Sequence, residues 1–292
     1  MKIMIRLFAV SAILLAISAN AFGGAKVNPR NDMPMFSIGV GGNGFSNYHL
    51  RADGSLGLVY GLGVRASYGY TIWNVLAKPY KKDYLDVGLN FCAIGMKGYA
   101  KTRVGLGSSS SGGYRYFSYS KRSLLHYYSL NVRGGFFKTN VAGTASDSIY
   151  TSKTPKAIPY HSEPLEIARK IGVPYVGIAF EDKTNEWVDI SGGKKIPAAY
   201  RKSFYFDVLL LTNERVDGYV GGKVYEMMNM GAQKKTGYRL GYNVANGPLA
   251  LGFEVGLLPK PVTADSKAKN NGYINWKATY MISNAFLRKK KK

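Results

Sequence analysis

Cysteine and histidine are scarce in this sequence. Cys92 is the only cysteine in 292 residues, so no intramolecular disulfide can form and a small disulfide-stapled secreted domain is excluded. The only histidines are His49, His126 and His161, and none has the i, i+4 spacing of a helical metal site. We therefore expect no metal and no cofactor.

Long apolar runs are also missing. Residues 1–21 have the pattern of a secretory signal peptide: Lys2 and Arg6 form a charged start, residues 7–17 an apolar run, and Ala21 ends a small-residue cleavage site. That run is too short for a transmembrane helix, and no later stretch approaches 18 consecutive apolar residues. We expect an exported protein without helical membrane spans.

Negative charge is scarce as well. The chain has 17 acidic and 40 basic residues, a net charge of +23, and no acidic residue lies between residues 87 and 146. Many basic proteins bind nucleic acid, but this chain has an export signal, no nucleic-acid module, and tyrosines in alternating segments. We therefore expect phosphate-rich lipid, including lipopolysaccharide, or an acidic protein partner, and no nucleic acid.

Alternating segments are what the chain has in abundance. In residues 56–73, LGLVYGLGVRASYGYTIW, apolar and aromatic residues share one parity, and mostly glycine and small polar residues share the other. Such period-2 alternation predicts a strand with one apolar face. Tilted strands that cross a bilayer need roughly nine to eleven residues. The small face would line a barrel lumen, and the large face would contact lipid.

The same alternation recurs along the chain and predicts ten strands. An even number places both termini on one side, with short turns there and long loops opposite, as in bacterial barrels. Asn246-Gly247 between two alternating runs predicts a hairpin. The predicted strands cover residues 34–42, 56–73, 84–104, 114–120, 124–137, 203–211, 219–228, 238–245, 249–257 and 274–286.

Residues 138–202 interrupt this rhythm. The segment contains five prolines, and its pattern predicts a short helix over residues 163–171 and a short strand over residues 173–180. Loops of this length are usually functional or disordered. We interpret it as one large extracellular insertion. The insertion and the basic tail at residues 288–292 are the surfaces through which we expect a protein partner to bind.

The pattern over residues 34–287 resembles that of small bacterial outer-membrane β-barrel proteins, the OmpA-type and related families. The resemblance implies an all-β, up-and-down antiparallel transmembrane barrel of about ten strands (8–12) in the bacterial outer membrane. Residues 22–33 would be a periplasmic lead-in, and residues 288–292 a basic periplasmic tail. Such barrels usually end on an aromatic residue that the barrel-insertion machinery recognises. Phe286 is the candidate here, although LRKKKK follows it.

Charged residues on the small face of the predicted strands would point into the lumen. Because buried charges need partners, we expect them to form ion pairs that fill a narrow interior. A small pore lined by the same charges is the alternative. Glu226 is a further candidate for this face. The predicted lumen charge network consists of Arg65, Asp86, Arg133, Asp207, Arg239, Glu254 and Lys277.

Aromatic residues near the ends of predicted strands indicate girdles at the two membrane interfaces. The candidates for these membrane-interface aromatics are Tyr68, Tyr70, Trp73, Tyr84, Tyr238, Tyr273 and Trp276.

The sequence offers no complete catalytic set. His126 lies near Ser123 and Ser129, but serines are common here, and GLGSSSSGG at residues 105–113 lacks the lysine and helix of a phosphate-binding loop. We expect no enzyme but a structural or interaction component of an envelope assembly, such as secretion or motility machinery, or a surface-binding protein. The alternatives are a narrow channel for small anionic solutes and a lipid-modifying barrel enzyme that depends on His126.

Overall fold

The computed structural model describes residues 35–43, 47–57, 61–74, 84–145, 165–190, 194–210, 213–220, 223–227, 236–247, 249–259 and 272–282. Regular structure in these ranges is entirely β-strand. They contain no helix long and apolar enough to span a membrane. The strands are β1 (Met35–Asn43), β2 (Asn47–Gly57), β3 (Leu62–Asn74), β4 (Tyr84–Ser111), β5 (Tyr114–Ala145), β6 (Leu165–Ile190), β7 (Lys194–Leu210), β8 (Asn213–Val220), β9 (Lys223–Met227), β10 (Thr236–Asn246), β11 (Leu249–Leu257) and β12 (Gly272–Met281).

Ten of these strands close into an antiparallel barrel. Strands β1 to β7 pair in chain order, β7 pairs with β10, and β10, β11 and β12 follow in order. The barrel closes where β12 pairs with β1. The sequence-based expectation of an all-β, up-and-down antiparallel barrel of about ten strands is confirmed.

The β8–β9 hairpin lies outside this ring. β8 pairs with residues 166–172 of β6, whereas β7 pairs with β6 only from Tyr175 onward. The hairpin therefore continues the sheet beyond the end of β7. The sequence places a single barrel strand at residues 219–228, and this is wrong because β8 ends at Val220 and β9, which begins at Lys223, pairs antiparallel with it.

The two ends of the barrel differ in their connections. The first barrel strand begins at Met35 and the last ends at Met281, both at the same end of the barrel, here called the terminus end. Tight turns lie there: Gly112 and Gly113, with φ of 58° and 80°, join β4 to β5 directly, and Gly247, with φ of 61°, follows β10. Only glycine adopts these angles readily. β3 ends at Asn74 and β4 begins at Tyr84 at the opposite end, whereas the sequence predicts that these two strands are joined at the terminus end.

The long strand predicted over residues 56–73 is two strands. β2 ends at Gly57 and β3 begins at Leu62, and Gly61 in the turn has a φ of 78°. The apolar alternation continues through the turn, so the pattern alone does not reveal it. As a result, residues 47–55, predicted mostly as a loop, lie in β2.

Most of the predicted insertion at residues 138–202 is barrel wall, so that interpretation is wrong. β5 continues to Ala145, β6 replaces the predicted helix from Leu165 onward, and β7 begins at Lys194. The prolines make the segment resemble a loop, yet two of them lie within described strands: Pro197 pairs with Trp187, and Pro174 lies at a gap on one side of β6. Pro174 lies between the last β8 partner of β6, Gly172, and the first β7 partner, Tyr175. A missing N–H costs little at such a position.

Strands β4 and β5 extend far past their neighbours at the terminus end. They have 28 and 32 residues, and residues 121–123, which separate two of the predicted strands, lie within β5. β4 pairs with β3 only as far as Phe91, and β5 pairs with β6 only from Tyr127. We call residues 93–111 and 114–126 the β4–β5 extension.

The outer surface of the barrel is apolar on every strand. Alternate residues expose large hydrophobic side chains to the outside, which monomeric soluble proteins rarely do over such an area. We call this surface the apolar belt. It consists of Phe36, Ile38, Val40, Leu50, Leu56, Tyr68, Tyr70, Ile72, Val87, Leu89, Leu130, Val132, Phe136, Val176, Ile178, Phe180, Phe204, Phe206, Tyr238, Leu240, Tyr242, Leu249, Leu251, Phe253, Leu257, Ile274 and Tyr280.

Candidate functional site

The interior of the barrel is centred on Arg239, which projects inward from β10. Its side chain has no exposed surface. Its Nε donates to Oδ2 of Asp207 at 2.6 Å. Its Nη1 lies 2.8 Å from Oδ2 of Asp86 and 3.7 Å from Oε2 of Glu254. One guanidinium thus connects carboxylates from β4, β7 and β11.

Two further arginines complete this central cluster. Arg133 Nε lies 2.9 Å from Oδ1 of Asp207, and Arg65 Nη2 lies 3.5 Å from Oδ1 of Asp86. Together with Arg239 and Glu254, the cluster holds three cations and three carboxylates. Ions out of water are tolerated only when they are paired in this way. The interior therefore carries charge without a large net charge at its centre.

Tyrosines donate further hydrogen bonds to two of the three carboxylates, Asp86 and Glu254. Tyr175 donates to Oδ1 of Asp86 at 2.8 Å, and Tyr273 donates to Oε1 of Glu254 at 2.9 Å. Tyr205 donates to the other oxygen of Glu254. The Tyr175 ring also lies 4.1 Å from the Arg239 guanidinium carbon, a favourable cation–π contact.

Glycines on the inward face provide the space for these rings. A Cβ on Gly241 would overlap the ring of Tyr205, and one on Gly256 would overlap the ring of Tyr273. A Cβ on Gly135 would come within 2.5 Å of the Tyr175 hydroxyl. The small face of the alternating pattern is therefore small because large side chains from the neighbouring strands lie over these glycines and fill the lumen.

An apolar layer closes the interior at the end opposite the termini. Phe137, Val173 and Leu209 have no exposed surface and pack in one cluster with Leu258 and Tyr84. Phe137 lies directly against the central cluster, with its ring centre 4.9 Å from the Arg239 guanidinium carbon. The charged and apolar layers together place buried side chains in the middle of the lumen at this level.

A second charged group lies on the terminus side of the central cluster. Asp53 on β2 accepts from Lys277 Nζ at 2.9 Å and from Arg51 Nε at 3.1 Å. Arg51 also donates to Ser67 at 2.9 Å. On the opposite wall, Glu181 accepts from Arg201 at 2.8 Å.

All of these groups except Arg51 line a cavity of about 140 Å³. The cavity has room for a few water molecules or one small anion. Its wall includes Arg65 and Arg133 from the central cluster together with Arg201 and Lys277. It borders the central cluster through Arg65, Asp86 and Arg133, and we call it the chamber.

The structure brings the predicted lumen residues together inside the barrel. Six of them form the central cluster, and Lys277 lies in the second charged group. The side chain of Glu226 falls outside the described part of the chain. Four interior charges are absent from the sequence-based set: Arg51, Asp53, Glu181 and Arg201.

These four were missed because their segments were interpreted as loops. Arg51 and Asp53 alternate with Ala52 and Gly54, so the outward parity there carries no large apolar residue and the strand signal is weak. Glu181 and Arg201 lie within the predicted insertion. Continuing the alternation of residues 173–180 by one step would have placed Glu181 inside.

The predicted interface aromatics divide into two groups. Tyr68, Tyr70 and Tyr238 are exposed in the apolar belt, and Trp276 is half-buried on the outward parity with its ring 6.1 Å from that of Tyr48.

Tyr84 and Tyr273 are the exceptions: both are buried in the interior, so their assignment to an interface girdle is wrong. The physical reason is parity, because Tyr84 shares its face with Asp86 and Tyr273 with Asn275. Trp73 lies in β3, but its side chain is outside the described set. Phe286, the signal segment 1–21, the lead-in 22–33 and the tail 288–292 lie outside the described residues.

His126, near the terminus end, has a hydroxyl and a carboxylate as partners, which is an arrangement found in catalytic sites. Oγ1 of Thr102 lies 2.5 Å from Nε2 of His126, and Oδ1 of Asp182 lies 2.6 Å from Nδ1. Because the carboxylate accepts the Nδ1 proton, Nε2 is left to accept from the Thr102 hydroxyl. This line of hydroxyl, imidazole and carboxylate resembles an activated nucleophile. However, His126 is 3% exposed and Thr102 is 9% exposed, so the hydroxyl is closed to a substrate in this state.

The other histidines show no such arrangement. His49 is buried, with Nδ1 3.3 Å from the Thr71 hydroxyl, and His161 lies outside the described residues. Within the described ranges, no group of three or more His, Cys, Asp or Glu side chains is arranged to hold a metal ion.

Comparisons with known proteins add little to this description. No protein-family model matches the chain, and no curated protein matches it. Among solved structures, the chain is similar to the NanC porin in a rhombohedral crystal form. The identity is 10%, the match covers 84% of this chain and 98% of that chain, and the TM-score is 0.25. A likeness at this level carries no argument about function, and the barrel assignment rests on the strand pairings.

Proposed function

We propose that this chain is an exported bacterial outer-membrane β-barrel with a closed interior that acts as a non-enzymatic structural or interaction component of an envelope assembly. The apolar belt is the observation that carries the membrane assignment, because lipid is the solvent that such a surface requires. Strands β1, β2, β10, β11 and β12 have 9 to 11 residues, which matches the length of a tilted crossing.

The closed interior supports an anchoring role over a transport role. A conducting barrel keeps a hydrated path along its axis, whereas Arg239, Phe137 and Leu209 fill this one without exposed surface. Ion pairs that join strands across the lumen would hold the barrel rigid. A rigid barrel in lipid suits a protein whose working surfaces project beyond the membrane.

Cell fractionation tests this proposal. The protein should remain in the outer-membrane fraction after a carbonate or high-salt wash, because the belt, and not surface charge, holds it there. Recovery of the mature chain in the soluble periplasmic fraction would overturn the membrane assignment.

Phe286 remains the proposed contact for the barrel-insertion machinery, and lipopolysaccharide phosphates remain proposed ligands of basic residues at the rim.

A narrow channel for small anionic solutes is the second candidate. The chamber supports it, since four cationic residues on its wall, Arg65, Arg133, Arg201 and Lys277, outnumber the three acidic residues there, Asp53, Asp86 and Glu181. Planar-bilayer recording of the purified barrel separates the two roles. Our proposal expects no unitary conductance. Anion-selective steps that disappear in Arg65→Ala or Arg133→Ala would establish the channel.

A lipid-modifying enzyme is the third candidate, and the line of Thr102, His126 and Asp182 is the observation that favours it. It requires that the buried hydroxyl become accessible. Comparison of lipid profiles from cells with the wild-type protein and with His126→Ala tests it directly. Equal profiles at equal amounts of folded protein would exclude this activity, and loss of a modified lipid species would establish it.

A further inference from the structure

The β4–β5 extension has an open strand edge. The last register pair between β3 and β4 is Leu62 with Phe91, and the Cys92 N–H then donates to the Gly61 carbonyl at 3.0 Å. Beyond this point, within the described chain, residues 93–111 of β4 pair only with β5. Such an edge presents alternate unpaired N–H and C=O groups and is a template for another strand.

The two faces of the extension differ sharply. On one face, Val104 and Leu124 are buried and pack with Val188 of the neighbouring β6–β7 hairpin. The alternate residues of β4 are exposed, and Tyr99 has 76% of its surface accessible. We call this exposed side the basic face. Its charged members are Lys97, Lys101 and Arg103 on β4 and Lys121 on β5.

The charges of the basic face lie close together and lack acidic neighbours. Arg103 is the direct register partner of Lys121, and Lys101 lies two residues away on the same face. The described part of the chain gives none of these side chains an ion-pair partner, and the sequence has no acidic residue between residues 87 and 146. Like charges directly opposite each other destabilise a ladder, so an acidic ligand would relieve a repulsion that the fold leaves in place.

Aromatic rings hold two of these cations in position. The Arg103 guanidinium carbon lies 4.2 Å from the centre of the Tyr119 ring, and Lys97 Nζ lies 5.4 Å from that of Tyr127. Side chains laid along rings lose less freedom when a ligand binds. The basic face is therefore partly organised for binding.

Charge complementarity decides between the occupants of this edge. The chain's own C-terminal tail, residues 288–292, is Arg-Lys-Lys-Lys-Lys, and the lead-in has two basic residues against one acidic residue. Both leave from the terminus end but carry the wrong sign. A second copy would present the same basic face. An extended acidic polypeptide fits, because its backbone can pair with the edge while alternate carboxylates, about 7 Å apart, meet cations at the i, i+2 spacing of Lys101 and Arg103.

We propose that the open edge of β4 over residues 93–111 binds an extended acidic polypeptide segment as an added strand, with its alternate Asp or Glu side chains on Lys97, Lys101, Arg103 and Lys121. This mode of recognition takes affinity from the backbone and specificity from alternate side chains. The inference rests on the proposed interaction role and names the class of partner that the extension recognises.

Fluorescence anisotropy with the mature chain refolded in detergent tests the proposal. The probe is a fluorescein-labelled peptide of alternating threonine and glutamate, long enough to cover the edge. Lys101→Gln/Arg103→Gln should weaken binding at least about ten-fold, since two close charge pairs are lost. The control Lys138→Gln/Lys202→Gln removes the same charge from exposed positions elsewhere and should bind like the wild type. Equal binding by the two variants would overturn the site.

A second probe tests strand addition itself. A peptide with the same number of glutamates, interrupted by prolines, keeps the charge but cannot pair along the edge, and it should bind at least about ten-fold more weakly. Equal affinity of both peptides would overturn the added strand. Inorganic polyphosphate that bound more tightly than the alternating peptide would overturn the assignment to a polypeptide.

Cross-linking of the unchanged protein tests the site without relying on a variant that could fail to fold. Carbodiimide coupling of the peptide carboxylates, mapped by mass spectrometry, should modify Lys101 and Lys121 in preference to Lys138. Coupling confined to lysines outside the extension would overturn the site. A heat-dependent gel shift of each preparation reports the barrel separately. If the unchanged protein shows the shift but does not bind the peptide, this inference is contradicted and the proposed function still stands.

Discussion

Arg239 and Asp207 are direct register partners on neighbouring strands, and their side chains meet in a hydrogen bond of 2.6 Å with no exposed surface on either side chain. Asp207 also pairs with Arg133, and Arg239 reaches Asp86. This pair therefore joins the two halves of the central cluster. Its burial makes the barrel depend on charges that water does not reach.

Asp207→Asn tests that dependence. The change leaves Arg133 and Arg239 with less negative charge beside them, and breaking a buried pair typically costs about 3–5 kcal/mol. We expect a large drop in the urea midpoint of the refolded barrel, measured by tryptophan fluorescence. The double variant Asp207→Leu/Arg239→Met removes both charges and should recover part of the loss. An unchanged midpoint for Asp207→Asn would contradict the cluster as described.

Gly241→Ala tests the packing of the lumen. The new methyl group would overlap the ring of Tyr205, and overpacking of this kind typically costs about 1–3 kcal/mol. The urea midpoint should fall accordingly. Gly105→Ala on the extension is the matched control, since a Cβ there meets nothing closer than 3.8 Å. If both variants unfold at the wild-type midpoint, Tyr205 does not occupy the lumen in this way.

Ile178→Lys tests the apolar belt. Ile178 is 53% exposed on the outside of β6, and a lysine facing the bilayer midplane costs about 2–4 kcal/mol. Refolding into lipid vesicles should fall well below that of the wild type. Tyr99→Lys places the same side chain at an exposed site on the extension and should refold normally. Equal refolding of the two variants would indicate that water, and not lipid, surrounds residue 178.

Much of the barrel could be predicted from residue parity. The sequence places Asp86, Asp207 and Arg239 in the interior because each lies between large apolar residues in a clear period-2 pattern. Tyr84 shows the limit of using position instead of parity: it lies near a strand end, but its parity matches Asp86 and its ring is inside. The alternation also continues through the turn at Gly61, where only backbone pairing shows that one strand has become two.

The contacts and the open edge that the sequence does not predict depend on how distant strands pair. The closure of β12 on β1 and the stagger of the strands determine which carboxylate each arginine contacts. Neither can be predicted from local sequence. The extension is similar: residues 93–111 alternate like any other strand, and only the short β3 reveals that their outer edge is open. Pro174 illustrates the same point, because its tolerance follows from the gap between β7 and β8.

The most direct test of the account is the gel mobility of the washed outer-membrane fraction, compared before and after boiling. A closed barrel held by inter-strand ion pairs and a lipid-facing belt should resist detergent and migrate differently until it is heated. We predict a heat-dependent shift in that fraction. A protein that migrates identically in both lanes, or that is absent from the fraction, would contradict a membrane-inserted barrel.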